Sequence, residues 1–495
     1  MLTRSLVAVG CLAATLLSAP SAAVAVGSSA AISDGPSAAA RGPGRGQLVS
    51  VTPVAGYGRA EVAAMLSDVP FVGARTRYGV RAYRIEYRTI DAHDRPTTAS
   101  ALVAVPAGRR GSADTVVWEH GTRTGRADVA SVSGTDRLDR PAALLFATAG
   151  YLTVAPDYLG LGTGPGRHPY VHTETEASAS VDAIRAAHRF AARSGQRLTG
   201  EVMVSGFSQG GHAAMALGQA MGQEPTLRLR ALAPISGPYD LSGTEIPALF
   251  DGRVDPMIGA FYLAYWTLSS DRLYGLFDTP SQVFRAPYDR TLPPLFDGAH
   301  SEPEIIPALP ASPDLLVTPE YRARLLRPDD ALRRAMDENS ATCQWRPRVP
   351  VRLYASSADR EVPVDNTRKC ATELRLRGAK VTVTDLGDVG HMTSPIIALP
   401  GIVDWFRHLT STTDRGRLGS SEPFSSWVPS GFGGRQDEDG LHDRGCLNGV
   451  ARCRRHLAAP AREGQTHTAV RGAVQAALRV PGILAAIVLS WERPA

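Results

Sequence analysis

Glu201-Val202-Met203-Val204-Ser205-Gly206-Phe207-Ser208-Gln209-Gly210-Gly211-His212-Ala213-Ala214 reads as a buried strand that runs into Gly-x-Ser-x-Gly and then straight into a helix of small residues. That order is what a nucleophile elbow requires: the serine sits on a sharp, strained turn with its hydroxyl pushed above the end of a sheet. Glycines two residues either side are needed because a Cβ there would collide with the strand or the helix. Gly211 and Ala213-Ala214 keep the helix thin enough to pack close behind the turn. The pentapeptide alone is common in Gly-rich and Ser-rich chains. The strand before it and the helix after it make it a site.

Working outward, 495 residues allow one large α/β domain with insertions, or two domains. Arg4 precedes an apolar run from Leu6 to Ala19, then Pro20 and small residues to Ala25, an Ala-x-Ala pattern that predicts a secretory signal over residues 1–25 cleaved near Ala25. Residues 26–49, rich in Gly, Ser, Ala and Pro, are expected to form a flexible mature N-terminus. The sequence is basic, with a net charge of +5, yet all but two of its 53 basic residues are arginine. No basic run with interleaved aromatics appears, so the charge reflects arginine usage and argues against nucleic-acid binding. Beyond the signal, Cys343, Cys370, Cys446 and Cys453 are expected to pair in an exported protein. Cys343 with Cys370 is the natural pairing, since both flank one strand region; Cys446 and Cys453 could close a small loop. The spacing of the latter two with His456 does not suit zinc.

Val80 to Val105 alternates as an antiparallel hairpin around Asp94-Arg95-Pro96. Short apolar strands follow at Thr115–Glu119, Tyr151–Tyr158, the elbow strand and Ala231–Ser236, with helices near Pro141–Ala149 and over Glu174–Ala192 between them. Strands alternating with crossover helices predict a mostly parallel sheet with an antiparallel leading hairpin. These strands and helices make residues 50–236 the first part of a core. Residues 237–348 break the alternation and are too apolar for a connection, so they are expected to form a helical cap inserted after the sixth strand. Core strands resume at Val349–Ala355 and Ala379–Thr384, and a helix from Ser394 completes a second part over 349–411. Residues 412–495, apart from an apolar stretch near Ala469 to Trp491, read as a low-order tail.

A serine hydroxyl needs a base, and the base needs a carboxylate to fix its tautomer. In this elbow architecture the chain order is Ser, Asp, His. Asp359 follows the Val351 strand and His391 follows the Val381 strand, so Ser208, Asp359 and His391 are the catalytic candidates. Asp365, Asp385 and Asp388 compete for the acid role, but Asp359 stands at the strand end towards which the elbow points. An oxyanion needs two backbone donors. Gln209, directly after the nucleophile, supplies one. The other is expected from Gly121 or Thr122 in the His120-Gly121-Thr122 loop, with the His120 side chain holding that loop. Phe261, Tyr262, Tyr265 and Trp266 of the cap, with Tyr158 at a strand exit, are the substrate-binding candidates. No metal or cofactor is required.

The Gly206-Phe207-Ser208-Gln209-Gly210-Gly211 elbow, the strand exit Ala155-Pro156-Asp157-Tyr158-Leu159-Gly160-Leu161-Gly162, the His120 loop and the cap together resemble the secretory lipase family over roughly residues 50–410. The resemblance implies an α/β-hydrolase fold and hydrolysis of acyl esters, including triacylglycerols, through an acyl-serine intermediate. By it Ser208, Asp359 and His391 take the triad roles. Some relatives place an acidic residue where this chain has His120, and the tail after Ser411 has no expected counterpart. The expected partner is therefore a small ester or lipid substrate, with transient contact at a lipid interface and no obligate protein partner. Two other readings are a serine peptidase of the same fold, which would need a cap carboxylate pair such as Glu302 and Glu304, and a hydrolase-fold binding protein without catalysis.

Overall fold

The computed structural model describes residues 44–71, 73–134 and 138–416. The expected signal segment, residues 26–43, the tail from 417, and Cys446, Cys453 and His456 lie outside the described residues. Among those described, no helix is long and apolar enough to cross a membrane.

Nine strands form one sheet in the order β1-β2-β3-β5-β4-β6-β7-β8-β9. β1 (Leu48–Tyr57), β2 (Val80–Ile90) and β3 (Pro96–Pro106) pair antiparallel, and β3 pairs antiparallel with β5 (Leu152–Pro156). From β5 onward, through β4 (Ala113–Glu119), β6 (Leu198–Phe207), β7 (Arg228–Ile235), β8 (Val351–Ala355) and β9 (Val381–Asp385), every pairing is parallel. The carboxyl ends of these parallel strands therefore share one edge, where open α/β sheets collect their ligands.

Both faces of the sheet are covered, which is why its central strands read as continuous apolar runs rather than alternating ones. Val116, Trp118, Met203, Ala231 and Ala233 point to one face and pack against α1 (Arg59–Asp68), α2 (Asp139–Ala149) and α13 (Ser394–Gly416). Val117, Val202, Val204 and Leu232 point to the other, against α3 (Thr173–Arg193), α4 (Gln209–Met221) and α12 (Asp365–Leu376). α2 stops where expected, at Gly150, whose φ of 115° only glycine adopts without strain. On α3, Val181, Ile184, Ala187 and Ala191 share a buried face.

The first correction concerns the amino terminus. Residues 26–49 were expected to be flexible, yet Gly46 N–H donates to the Arg88 carbonyl (2.8 Å), Arg45 pairs with the buried Asp182 (2.8 Å), and Leu48 opens β1 opposite Tyr87. β1 escapes notice because it is an edge strand: mostly exposed, carrying Pro53, and interrupted twice in register. Because β1 adds a strand, the inserted helices follow the seventh strand rather than the sixth.

Between β7 and β8 run α5 (Ile246–Asp251), α6 (Pro256–Tyr274), α7 (Tyr288–Thr291), α8 (Glu302–Ile305), α9 (Pro313–Leu316), α10 (Pro319–Leu326) and α11 (Asp330–Glu338). They carry their own apolar core, including Phe261, Tyr265, Phe284, Phe296, Tyr321 and Leu332. α6 starts at Asp255, whose carboxylate accepts the Met257 and Ile258 amides (3.0 and 3.2 Å), with Pro256 in the first turn, and it ends at Gly275 with φ 62°. A disulfide joins Cys343, just past α11, to Cys370 on α12, with Cα atoms 5.2 Å apart. It is the pairing the sequence suggested, and it fastens the end of the insertion to the core.

Candidate active site

Ser208 stands between β6 and α4 with φ 57° and ψ −122°, a strained conformation for a residue with a Cβ. Its amide donates to the Ile235 carbonyl of β7 (2.9 Å), which holds the turn against the sheet. A Cβ on Gly206 would run into the Gly210 carbonyl, and one on Gly210 into the Glu119 carbonyl. A Cβ on Gly211 would lie 2.8 Å from the Ile235 carbonyl oxygen. The three glycines quoted from the sequence are thus the contact points of strand, turn and helix.

Asp359 lies four residues beyond β8, and His391 six beyond β9, on the same sheet edge as Ser208. His391 Nδ1 and Asp359 Oδ2 are 2.7 Å apart, and Asp359 Oδ1 accepts the Glu361 and Val362 amides, each at 2.9 Å. The Asp359 carboxylate only accepts, so in the neutral imidazole the shared proton sits on Nδ1 and Nε2 is the nitrogen left to act as base. Nε2 has no hydrogen-bond partner among the described residues. The Phe207 ring packs 4.5 Å from the His391 ring, which brings the residue before Ser208 against the imidazole. Burial opposes a charge on His391, but Asp359, Glu361 and Glu245 outweigh it and hold its pKa up at about 9. Burial would raise the Asp359 carboxyl, yet His391 and the two amides keep it below the usual carboxylate range. Two of the competing acids are engaged elsewhere, Asp365 with Arg253 (3.1 Å) and Arg368 (2.9 Å) and Asp385 with the Gly387 amide (2.9 Å), and Asp388 is exposed.

Gly121 lies directly beside the elbow. A Cβ built on it would sit 3.4 Å from the Phe207 carbonyl oxygen and 3.6 Å from Ser208 Cβ. Gln209 is the first residue of α4, and its amide has no carbonyl within the helix to bond. The loop is fixed from several sides. His120 Nδ1 bonds the Gly121 carbonyl (2.7 Å), its Nε2 lies 3.3 Å from the Asp157 carbonyl, and its ring packs 4.2 Å from the Tyr158 ring. Thr122 Oγ1 meets Tyr170 Oη at 2.8 Å, Arg123 is paired with the buried Asp139, and Thr124 N–H donates to Glu302 (3.1 Å).

The aromatic candidates divide. Tyr158 donates to the His120 carbonyl (3.2 Å), and Tyr265 donates to the Arg123 carbonyl (3.0 Å) while stacking on Tyr170 at 4.2 Å. Both brace the loop beside Gly121. Tyr262 donates to Glu361 (2.7 Å), two residues after Asp359, while Phe261 and Trp266 belong to the apolar core of the insertion. Glu304 caps its own helix through Ser301 (2.7 Å to N), so with Glu302 bound to Thr124 the two carboxylates do not converge on a common ligand.

Several residues at this site were not singled out from sequence. They are Glu176, His168 and His212 beneath the elbow, and Glu361 and Glu245 around His391. One signal was present for Glu176: with Ser180, Ala183 and Ala187 it falls on a buried stripe of α3, where a charge needs a partner.

A family profile described as Secretory lipase matches residues 142–228, which include the elbow. The rice cell wall degrading esterase LipA from Xanthomonas oryzae, in a ligand-bound form, is 30% identical over 75% of this chain and 100% of its own, with a TM-score of 0.67. A protein of Legionella pneumophila is 28% identical over 73% of this chain and 98% of its own, with a TM-score of 0.69. Candida antarctica lipase A, at 17% identity over 70% of this chain and 78% of its own and a TM-score of 0.54, shares the fold. No curated protein sequence matches significantly. Elbow, sheet order and relatives agree: the chain is a lipase- or esterase-like hydrolase of α/β-hydrolase fold, and it belongs to the secretory lipase family.

Proposed function

We propose that this chain is an exported serine carboxylic-ester hydrolase that acts on medium to long acyl esters through an acyl-serine intermediate. The observation that carries this reading is the strained Ser208 turn, with Gly121 against it and the bonded Asp359–His391 pair on the same sheet edge. Ser208 Oγ attacks the ester carbonyl as His391 Nε2 takes its proton. The oxyanion is held by the Gln209 amide and that of Gly121 or Thr122. His391 returns the proton to the departing alcohol. Water, deprotonated in turn by His391, then attacks the acyl group and releases the carboxylic acid and Ser208. The apolar character of the insertion supports an acyl ester rather than a peptide as substrate. The disulfide and the family support export.

The test is direct. A fluorophosphonate should label Ser208 alone, and p-nitrophenyl esters of increasing chain length should turn over. Lack of turnover on all of them by the folded protein would reject the proposal, as would hydrolysis of aminoacyl-naphthylamides in preference to esters.

The raised His391 pKa sets a pH dependence. The base must be neutral, and its charged form is stabilised in the free enzyme, so kcat/KM should rise with pH through an apparent pKa near 9. Glu361→Gln removes one of the stabilising charges and should move that limb to lower pH. A wild-type limb at 6.5 or below in the pH–rate profile would contradict this.

A further inference from the structure

Behind the elbow lies a polar cluster that no step above uses. Gln209, Glu176, His212, His168 and Asn339 are each at most 4% exposed. Glu176 on α3 accepts Gln209 Nε2 on one oxygen (2.9 Å) and lies 2.7 Å from His212 Nδ1 on the other. His212 Nε2 lies 2.8 Å from the Asn339 carbonyl. Both of these partners only accept, so both ring nitrogens carry protons and His212 is an imidazolium. His168 is the opposite case. Its Nδ1 donates to the Leu159 carbonyl (3.0 Å), so its Nε2 is the acceptor for the second Gln209 amide hydrogen (2.8 Å). Burial drives the His168 pKa down to about 3 and keeps it neutral; burial also raises Glu119 to about 8, so that carboxyl is protonated at neutral pH. For His212 the Glu176 charge outweighs burial and raises the pKa. One ion pair of zero net charge thus grips the side chain of the residue that follows the nucleophile, and both hydrogens of that side-chain amide are spent on fixed acceptors.

We propose that Glu176 and His212 are positioning residues for the oxyanion hole. Glu176 anchors Gln209 by its side chain and so fixes the direction of its backbone N–H, while His212 cancels a carboxylate charge that would otherwise oppose the oxyanion. This rests on the acyl-serine reading. An amide donor contributes only when aimed at the oxygen of the transition state, and loss of one such donor costs about 10²–10³ in kcat. Loosening its anchor should cost part of that, in kcat rather than in KM.

The experiment compares four single variants and one double variant on p-nitrophenyl esters, together with binding of a trifluoromethyl ketone analogue of the ester. Glu176→Ala should lower kcat about tenfold or more, with KM little changed and analogue affinity falling in parallel with kcat. Glu176→Gln can still accept from Gln209 and donate to a neutral His212, so it should retain most of the activity. His212→Ala, which strands a charged carboxylate, should lose at least as much kcat as Glu176→Ala, and adding Glu176→Gln to it should recover part of the loss. Gln209→Met removes only the anchor, so it provides the same test should Glu176→Ala fail to fold; it should lose kcat with KM unchanged. Wild-type kcat in Glu176→Ala or Gln209→Met, beside a wild type that hydrolyses esters, overturns the positioning role alone. A wild type labelled nowhere and inactive on esters overturns both readings.

Discussion

Asp359→Asn is expected to lower kcat about 10⁴-fold, some 5.5 kcal/mol of transition-state stabilisation, with KM nearly unchanged. Asp359 Oδ1 is already committed to the Glu361 and Val362 amides, which only donate. An asparagine would therefore keep its carbonyl oxygen there and turn its NH2 towards His391 Nδ1. The ring would accept that bond on Nδ1 and carry its proton on Nε2, where the serine proton has to go. The protein should stay folded and still bind substrate, so the check is steady-state kinetics together with an unchanged unfolding midpoint. A loss below tenfold would mean that Asp359 does not set the tautomer.

Gly210→Ala is expected to be the most damaging small substitution, destabilising the fold by about 3 kcal/mol or more. The added Cβ would meet the carbonyls of Glu119 and His120, both main-chain atoms at the end of β4 that no rotamer change can move aside. Relief would require pulling α4 off the sheet, which would break the elbow and the loop together. Urea denaturation and soluble yield report the loss, and Gly222→Ala, at the end of the same helix with nothing nearer than 3.2 Å, is the control. Similar midpoints for the two variants would refute the close-packing account.

The elbow was legible because its chemistry is written locally: a strand, two glycines that cannot be exchanged and a helix in sequence. The pairing of Asp359 with His391 was legible because parallel strands announce their ends, and the elbow points to the ends that matter. What stayed hidden is tertiary. Glu176 and His212 lie 36 residues apart, and the Asn339 that completes their network is 127 residues beyond His212, so no spacing rule joins them. β1 was hidden for a different reason, since an exposed edge strand with a proline carries little periodicity. The aromatic run of α6 was legible as apolar. However, spacing cannot tell a ring that walls a pocket from one such as Tyr265, whose hydroxyl is spent on the main chain of the loop beside Gly121.

The insertion braces the surroundings of the site at several points, among them Tyr265 on the Arg123 carbonyl, Glu302 on the Thr124 amide, Tyr262 on Glu361, and the Asn339 carbonyl on His212. This has a consequence for engineering and for divergence within the family. Grafting the insertion of one relative onto the core of another would not exchange selectivity alone, because the graft would also replace the props of the donor loop, the acid and the base of the elbow. Chimeras of this kind should turn over slowly until those contacts are restored, the tyrosines acting through their hydroxyls and Asn339 through its main-chain carbonyl.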